Sequence, residues 1–370
     1  MRWEVKPLGE VCDVEWGNTS LTKKAFVENG KFLAVSAAGM DGRIDHSEHA
    51  AMIPVISAIG ANCGRMFLPE EPFTAVKNTM TVTPHLGLDS RFVFFGLSSI
   101  ELPRRGAAQP FLALGDIRKI PFQIPPLEEQ ERIVEVLDEA FAAIDKAKAN
   151  IERNLVNLQE LSDTFMSSVC EDLKAYDQVP FGSLVELSRG HNPPKKDFES
   201  TPSAANIRFW QIRDGWSDKY KVYVPKTPKL HLVEEHEILM VAYRHIGKAF
   251  RGVKGAFNVA LCKVTNANES ILDSDFLFEL IPSSFIRGEL LKLSERSLIP
   301  SMSVKELAKL PFPLPTMEMQ RQFVDQIIER RELCDTLKSK YQSELDNLDE
   351  LRQSILEQAF EGKLTEPVAA

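Results

Sequence analysis

Residues 120–134 read IPFQIPPLEEQERIV, and residues 310–324 read LPFPLPTMEMQRQFV. At a constant offset of 190, Pro121, Phe122 and Pro125 meet Pro311, Phe312 and Pro315. Glu128, Gln130 and Val134 likewise meet Glu318, Gln320 and Val324. The offset persists downstream without a gap, so that Leu155, Asn157, Leu158, Glu160 and Leu161 fall on Leu345, Asn347, Leu348, Glu350 and Leu351. A weaker match joins Pro7-Leu8-Gly9 and Gly17 to Pro180-Phe181-Gly182 and Gly190 at an offset of 173, which makes the second unit 17 residues longer. Between these anchors, residues 55–65 overlie 238–248 only faintly. A duplicated scaffold with two divergent heads and two closely shared tails is the reading.

The tails are expected to be long helices. Pro121, Pro125 and Pro126 keep the entry extended and place the helix start after them, because proline fixes φ and lacks a donor. Glu128, Glu129 and Glu131 then suit the positive end of the helix dipole. A seven-residue series follows, Leu137, Ile144, Ile151, Leu158 and Phe165, with a mixed companion series of Phe141, Lys148, Leu155, Ser162 and Val169. Adding 190 gives Ile327, Cys334, Tyr341, Leu348 and Ile355. Such periodicity predicts paired helices in a coiled coil, with Leu137, Ile144, Ile151, Leu158, Phe165, Ile327, Tyr341, Leu348 and Ile355 on the seam. Each helix would run roughly 65 Å at ~1.5 Å per residue.

The heads carry short runs rich in Val, Ile, Phe and Thr at residues 32–35, 52–59, 80–82, 92–95, 221–224, 238–243 and 261–264. Gly, Pro, Asn and Asp punctuate them, which predicts strands joined by loops. Residues 92–100 and 275–281, ahead of each tail, suit short helices equally. The fold class is therefore α+β: two globular domains at 1–122 and 176–312, and two helical segments at 123–175 and 313–370, antiparallel and related by the internal repeat.

The chain has 370 residues, 44% hydrophobic and 26% charged, with a net charge of −9. That composition suits a folded chain of two or three domains and excludes wholesale disorder. No apolar run approaches the ~18 residues of a membrane span. No signal peptide is expected, and the five cysteines, with no C-x-x-C pair, read as reduced thiols in a cytoplasmic protein. The net charge alone argues against nucleic acid, but it divides unevenly. The helical segments 121–176 and 311–370 carry −7 and −5, while residues 1–120 balance at 0 and residues 177–310 carry +3. Phosphate binding needs local Lys and Arg, not a basic whole chain. The first head offers Lys23, Lys24, Arg43, Arg65, Lys77, Arg104 and Arg105. The second offers Arg189, Lys195, Lys196, Arg208, Arg213, Arg244, Lys248, Arg251 and Lys254, with His191 and His245 among them.

Catalytic machinery is not legible. No G-x-G occurs, so the glycine fingerprint of a dinucleotide or S-adenosylmethionine loop is missing. Gly362-Lys363-Leu364-Thr365 lacks the first glycine of a phosphate loop and follows a helix. Asn192-Pro193-Pro194-Lys195 resembles the Asn-Pro-Pro-Tyr motif of amino-methyltransferases, but lysine cannot stack on a flipped base as the aromatic does. His46-Ser-Glu-His49 has a metal-like spacing, yet Asp41-Gly42 and Asp45 nearby predict a loop, and no metal site is expected.

Two heads, each followed by P-[FL]-x-[IL]-P-x-[LM]-E-x-Q and a heptad helix, resemble the DNA-specificity (S) subunits of type I restriction–modification systems. Gln109-Pro110-Phe111-Leu112, the ending from Gln358 to Thr365 and the opening Pro7-Leu8-Gly9-Glu10-Val11 add to the resemblance. The chain departs from the pattern at Pro313, Thr316 and Met317-Glu-Met319, and at Gly60-Ala-Asn-Cys-Gly64. The resemblance implies a non-catalytic subunit, each head reading one half of a bipartite double-stranded DNA site. The helices would set the spacer and dock two modification (methyltransferase) subunits, with restriction (translocase/nuclease) subunits joining the complex. S-adenosylmethionine and ATP/Mg would sit on those partners, with no cofactor on this chain. DNA contacts are expected at Lys23, Lys24, Arg65, Arg104 and Arg105 in the first head, and at Arg189, Lys195, Lys196, Arg244 and Lys248 in the second. Asn78 and Asn258 are further base-reading candidates, although a structural role in a loop suits them better. Two rival readings are a stand-alone DNA methyltransferase or nuclease with its own recognition regions, and a coiled-coil adaptor with no role on DNA.

Overall fold

The computed structural model describes residues 3–244, 246–294 and 303–363; His245, Leu364 and Thr365 lie outside the described residues. The chain divides into two units, one of Met1–Glu152 with Tyr341–Ala370, the other of Arg153–Lys340. A central helix, Leu127–Leu173, and a C-terminal helix, Met317–Phe360, each contribute residues to both units.

In the first unit Glu4–Pro7 pairs antiparallel with Pro121–Ile124, Pro7 opposite Pro121. Prolines are tolerated there because a two-stranded ribbon is all edge. A four-stranded antiparallel sheet runs in the order Cys12–Trp16, Thr79–Pro84, Val55–Ser57, Met66–Phe67. A second sheet has the order Gly39–Ile44, Phe32–Ser36, Phe73–Ala75, its last pair parallel. The second unit repeats this plan. Gln178–Pro180 pairs with Pro311–Pro313, Pro180 opposite Pro311. One sheet runs Val185–Arg189, Leu261–Asn266, Ile238–Val241, Ala249–Phe250, and the other Val222–Pro225, Asn206–Trp210, Gly255–Phe257, Leu232–Val233. Asn206–Trp210 and Gly255–Phe257 again form the parallel pair. The faint sequence match at an offset of 183 is therefore structural: Val55–Ser57 corresponds to Ile238–Val241, and Met66–Phe67 to Ala249–Phe250. Gly64 and Gly247, at the same offset, both hold left-handed φ values, +89° and +87°.

The matched glycines Gly17 and Gly190 are required by close backbone approach. A Cβ at Gly17 would stand 2.9 Å from the Ala75 and Val76 carbonyl oxygens, and one at Gly190 would fall inside the Phe257 and Asn258 carbonyls.

Residues 92–95, read as a strand or a helix, lie in the helix Ser90–Ser98, and its counterpart is Ser274–Leu280. Asp89 and Asp273 cap them, each accepting from the backbone N–H three residues on, at 2.8 and 3.1 Å. Asp41 and Gly42, read as part of a loop, belong to the strand Gly39–Ile44: Gly42 pairs with Ala34, and Asp41 falls at the register shift between the Ala34 and Ser36 pairs.

The shared motif now has a physical role. Gln130 is fully buried; its Nε2 donates to the Pro125 carbonyl (2.9 Å) and the Gly87 carbonyl (3.1 Å), and its Oε1 accepts from the Asp89 N–H (2.8 Å). Gln320 does the same with Pro315 (2.8 Å), Ile271 (2.9 Å) and Asp273 (2.7 Å). Each glutamine thus ties the first turn of a long helix to the loop that caps the head's own helix. A side-chain amide is needed because the site presents both acceptors and a donor.

Within each unit the long helices run antiparallel. In the first unit Arg352 lies over the Phe141 ring at 4.0 Å and pairs with Asp145 at 2.9 Å, and Lys148 pairs with Asp349. In the second, Arg330 lies over Phe165 at 4.8 Å. Of the expected seam, Leu137, Ile144, Ile151, Leu158 and Ile327 are buried, while Phe165, Tyr341, Leu348 and Ile355 are half-buried. The seam is not a uniform coiled coil, because the heads fill part of it. Leu137, Phe141, Ile144, Leu356 and Ala359 join the core of the first head, and Val169, Leu173, Val324 and Ile327 that of the second. Where Phe95 meets Phe141 edge-on at 5.6 Å in the first unit, the corresponding Glu279 and Arg331 form an ion pair in the second.

Candidate nucleic-acid interface

Each head opens a hollow of about 510 Å³ at the same place, beyond the ends of its parallel strand pair. In the first head the wall includes Thr22, Lys23, Lys24, Ser36, Lys77 and Asn78. In the second it includes Gln211, Arg213, Trp216, Tyr243, Arg244 and Asn258. Both hollows are open and edged by cations.

The two differ because the connecting segment differs. Two residues, Ala37 and Ala38, join Phe32–Ser36 to Gly39–Ile44, whereas eleven residues, 211–221, join the corresponding strands of the second head. That nine-residue difference supplies about half of the second unit's extra length. It folds as two short 3-10 turns, Ile212–Gly215 and Asp218–Tyr220. Its aromatic rings meet cations: Arg213 stands 5.0 Å from the Tyr220 ring and Lys248 4.8 Å from Trp216. Arg244 has a left-handed φ of +61° and lies 5.5 Å from its neighbour Tyr243. A non-glycine residue at such a φ is strained, and such strain concentrates in ligand loops.

The expected contact residues fall into three groups. Lys23, Lys24 and Arg244 line the hollows, and Lys248 reaches one through its contact with Trp216. Lys23 and Lys24 lie in a 3-10 turn capped by Thr22. Lys23 pairs with Asp41. Burial pushes the Asp41 carboxyl up, but hydrogen bonds from Lys23 and Ser36 outweigh it and hold it below the ordinary carboxylate range. Arg65 and Arg104 form a second, adjacent group. Both are exposed; Arg65 lies 5.6 Å from the Phe67 ring, and Arg104 packs against Gly64. Gln109-Pro110-Phe111-Leu112 braces this loop, since Gly60 N–H donates to the Pro110 carbonyl and Leu112 N–H to that of Ala58.

The remaining four stand differently. Arg105 offers both nitrogens of its fork to Asp116, at 2.7 and 2.8 Å. Arg189 ends a strand and donates to the Val259 carbonyl at 2.8 Å, and burial lowers its pKa. Lys195 and Lys196 form an exposed 3-10 turn after Pro193-Pro194. Arg104, Arg105 and Arg189 lie in strands, not loops. Asn78 holds a left-handed φ of +72°, and Asn258 Oδ1 accepts from the Ala260 N–H at 3.2 Å, so both shape the walls they line. Sequence reasoning passed over Gln211, Trp216 and Tyr243, because no motif marks a residue that reaches a hollow through tertiary pairing.

Among the described residues no group of three or more His, Cys, Asp or Glu side chains is placed to hold a metal ion. His46 and His49 lie between strands; His49 packs 5.0 Å from Phe73, and burial lowers its pKa against the opposing charges of Glu48 and Glu15. Burial pushes the Cys12 thiol up to about 12 and that of Cys262 to about 11, which leaves both unreactive.

The family described as the type I restriction modification DNA specificity domain matches residues 1–153. The type I restriction enzyme EcoDI specificity subunit of Escherichia coli is 22% identical over 95% of this chain and 89% of its own length. The MjaVIII specificity subunit of Methanocaldococcus jannaschii is 21% identical over 82% of this chain and 77% of its own. Among solved structures, a chain from work on complex assembly and conformational transition of the type I R-M system shares the fold with a TM-score of 0.74, 16% identity and 98% of each chain covered. The HsdS subunit from Thermoanaerobacter tengcongensis gives 0.59 at 17% identity, over 98% of this chain and 97% of its own. Residues 1–153 are thus a type I restriction–modification DNA specificity domain, and along nearly its whole length the chain is related to type I specificity subunits.

Proposed function

We propose that this chain is the non-catalytic DNA-specificity subunit of a type I restriction–modification complex, each head reading one half of a bipartite site. The observation that carries this is the pair of cation-edged hollows, placed alike on a duplicated scaffold yet lined differently. A scaffold that repeats presents two reading surfaces; walls that diverge read two different half-sites. Lys23, Lys24, Lys77 and the Arg65–Arg104 pair in the first head, and Arg213, Arg244 and Lys248 in the second, neutralise phosphates and reach base edges. Phosphate contacts set position and affinity, and base-edge contacts set sequence.

The acidic long helices are protein-binding surface and set the number of unread base pairs between half-sites. Two modification subunits dock there and supply S-adenosylmethionine chemistry; restriction subunits bring ATP/Mg. The complex works in the cytoplasm. Among the described residues no helix is long and apolar enough to cross a membrane.

The test combines the purified chain, labelled S-adenosylmethionine and DNA, with and without the modification subunits. Methyl transfer at one bipartite motif only when the partners are present is expected. Transfer by the chain alone would overturn the reading. In parallel, DNA affinity of the complex should fall steeply with salt, as counterion release demands.

A further inference from the structure

The described residues satisfy nearly all of their buried polar side-chain atoms. The three that lack a hydrogen-bond partner, Arg208 Nη2, Gln211 Nε2 and Asp214 Oδ1, sit together in the second head. Arg208 and Asp214 face one another at 3.3 Å as an ion pair, with the Asp214 side chain fully buried and that of Arg208 10% exposed. Arg208 is fixed further by the Trp210 ring at 4.7 Å and by donating to the Val222 carbonyl at 3.1 Å. Asp214 Oδ2 accepts from the Gln211 N–H at 2.7 Å, which fixes the backbone of Gln211. The Gln211 side-chain nitrogen therefore stays a buried donor without a partner, on a rigid base, in the wall of the hollow.

An unpaired buried donor costs stability in the free protein, so its retention calls for a physical reason. The place supplies one. Gln211 is the first residue of the 211–221 insert that distinguishes the second head from the first. Trp216 and Tyr243, which share its hollow, give apolar surface for a base. The corresponding position in the first head is Ala37, which has no side-chain amide; there the backbone carbonyl accepts from Asn62 Nδ2 at 3.2 Å and from Ser57 Oγ at 3.0 Å. The first head closes this point with its own side chains, while the second leaves a donor to be satisfied.

We infer that Gln211 is a specificity-determining residue of the second head, its amide reading one adenine of that half-site through the major groove. A glutamine amide pairs with adenine alone among the bases in a bidentate manner, donating to N7 and accepting from the N6 amino group. The Gln211 side-chain oxygen also accepts from the Asp214 backbone N–H in a capping box, which holds the amide in place and leaves the oxygen's second lone pair for the N6 amino group. Arg208 and Asp214 are positioning residues behind it. This rests on the specificity reading proposed above.

The test is methylation of a randomised DNA library by the chain in complex with its modification subunits, followed by sequencing of the modified sites. The wild-type complex should give one bipartite motif. Gln211→Ala should relax a single adenine position in one half, discrimination there falling about 5- to 150-fold, with the other half and the spacing unchanged. Gln211→Glu should shift that position towards cytosine, whose N4 amino group a carboxylate accepts. If the alanine variant fails to fold, as its thermal melt would report, the glutamate variant answers the same question. A motif identical to wild type in a folded variant overturns the inference, and shows Gln211 to be structural only. A wild-type complex that yields no bipartite motif would overturn the specificity reading itself.

Discussion

Replacing Gln130 with leucine keeps the side-chain volume but removes one hydrogen-bond acceptor and two donors. Three backbone groups then lose their partner: the Pro125 carbonyl, the Gly87 carbonyl and the Asp89 N–H. Their costs are unequal. Pro125 is buried, so its carbonyl cannot recover water, whereas Gly87 is exposed and recovers most of it. At about 1–3 kcal/mol for a buried unsatisfied group, and only about 1 kcal/mol for the half-buried Asp89, the two together cost about 2–4 kcal/mol, and Gly87 adds a few tenths. Asp89 also caps Ser90–Ser98, and loosening it puts a further contribution of up to ~1 kcal/mol at risk. The total, about 3–5 kcal/mol, is a large part of what a domain commonly has. Urea denaturation followed by circular dichroism at 222 nm reads it: with a slope near 2 kcal/mol per molar, the midpoint for the first unit should fall by about 1.5–2.5 M. Gln320→Leu should do the same to the second unit, because Pro315 is buried and Ile271 exposed in the same arrangement. Gln130→Glu adds a pH signature. Two carbonyls facing a carboxylate raise its folded pKa above the unfolded value, so the ionisation penalty is absent in acid, where the carboxyl O–H still donates to one of them, and grows as pH rises through the raised pKa. Midpoint shifts below ~0.5 M for both leucine variants would refute the clamp.

Lys77→Ala removes a cation from the first hollow, and should weaken DNA binding by the complex alike on all sequences. The magnitude of the slope of log affinity against log salt should fall by about 1 in a titration series. Gly190→Ala should prevent folding of the second head, since its Cβ has no space beside Phe257 and Asn258; a wild-type melt would contradict this. Glu237 gives a pH test. Burial raises its pKa, but hydrogen bonds from Lys263 and Thr265 outweigh that and hold it below the ordinary value. A depressed carboxyl contributes stability that is complete above its unfolded pKa, about 4.3, and is lost as pH falls through the folded one. Glu237→Gln should therefore be less stable than wild type at neutral pH and lose less between pH 5 and pH 3, as urea midpoints would record. Matched four-residue insertions in the two long helices should change the unread spacing in the methylated motif; altered half-site bases would contradict the spacer role.

The two tails, their start after Pro125 and Pro315 and the place of the repeat were legible because proline geometry and heptad spacing are local rules. Gln130 and Gln320 stood out as matched letters, but their partners could not be read: Gly87, Asp89, Ile271 and Asp273 lie 41 to 49 residues away in the chain. The candidate site was legible by halves. Lys23, Lys24 and Arg244 reached the hollows from residue type and loop position. Arg105 and Arg189 have the same chemistry and stand engaged by Asp116 and the Val259 carbonyl, which charge counting does not foresee.

By itself the sequence determined the duplication, the helices and the division of charge between acidic tails and neutral-to-basic heads, since each depends on neighbours along the chain. Only the tertiary structure decided that both heads share one strand order, that the long helices complete the core of each head, and that residues 211–221 wall a hollow. Those features arise where strands distant in sequence pair, as Asn206–Trp210 does with Gly255–Phe257. Pairing across such distances is set by the burial of whole faces, which no short stretch of sequence encodes.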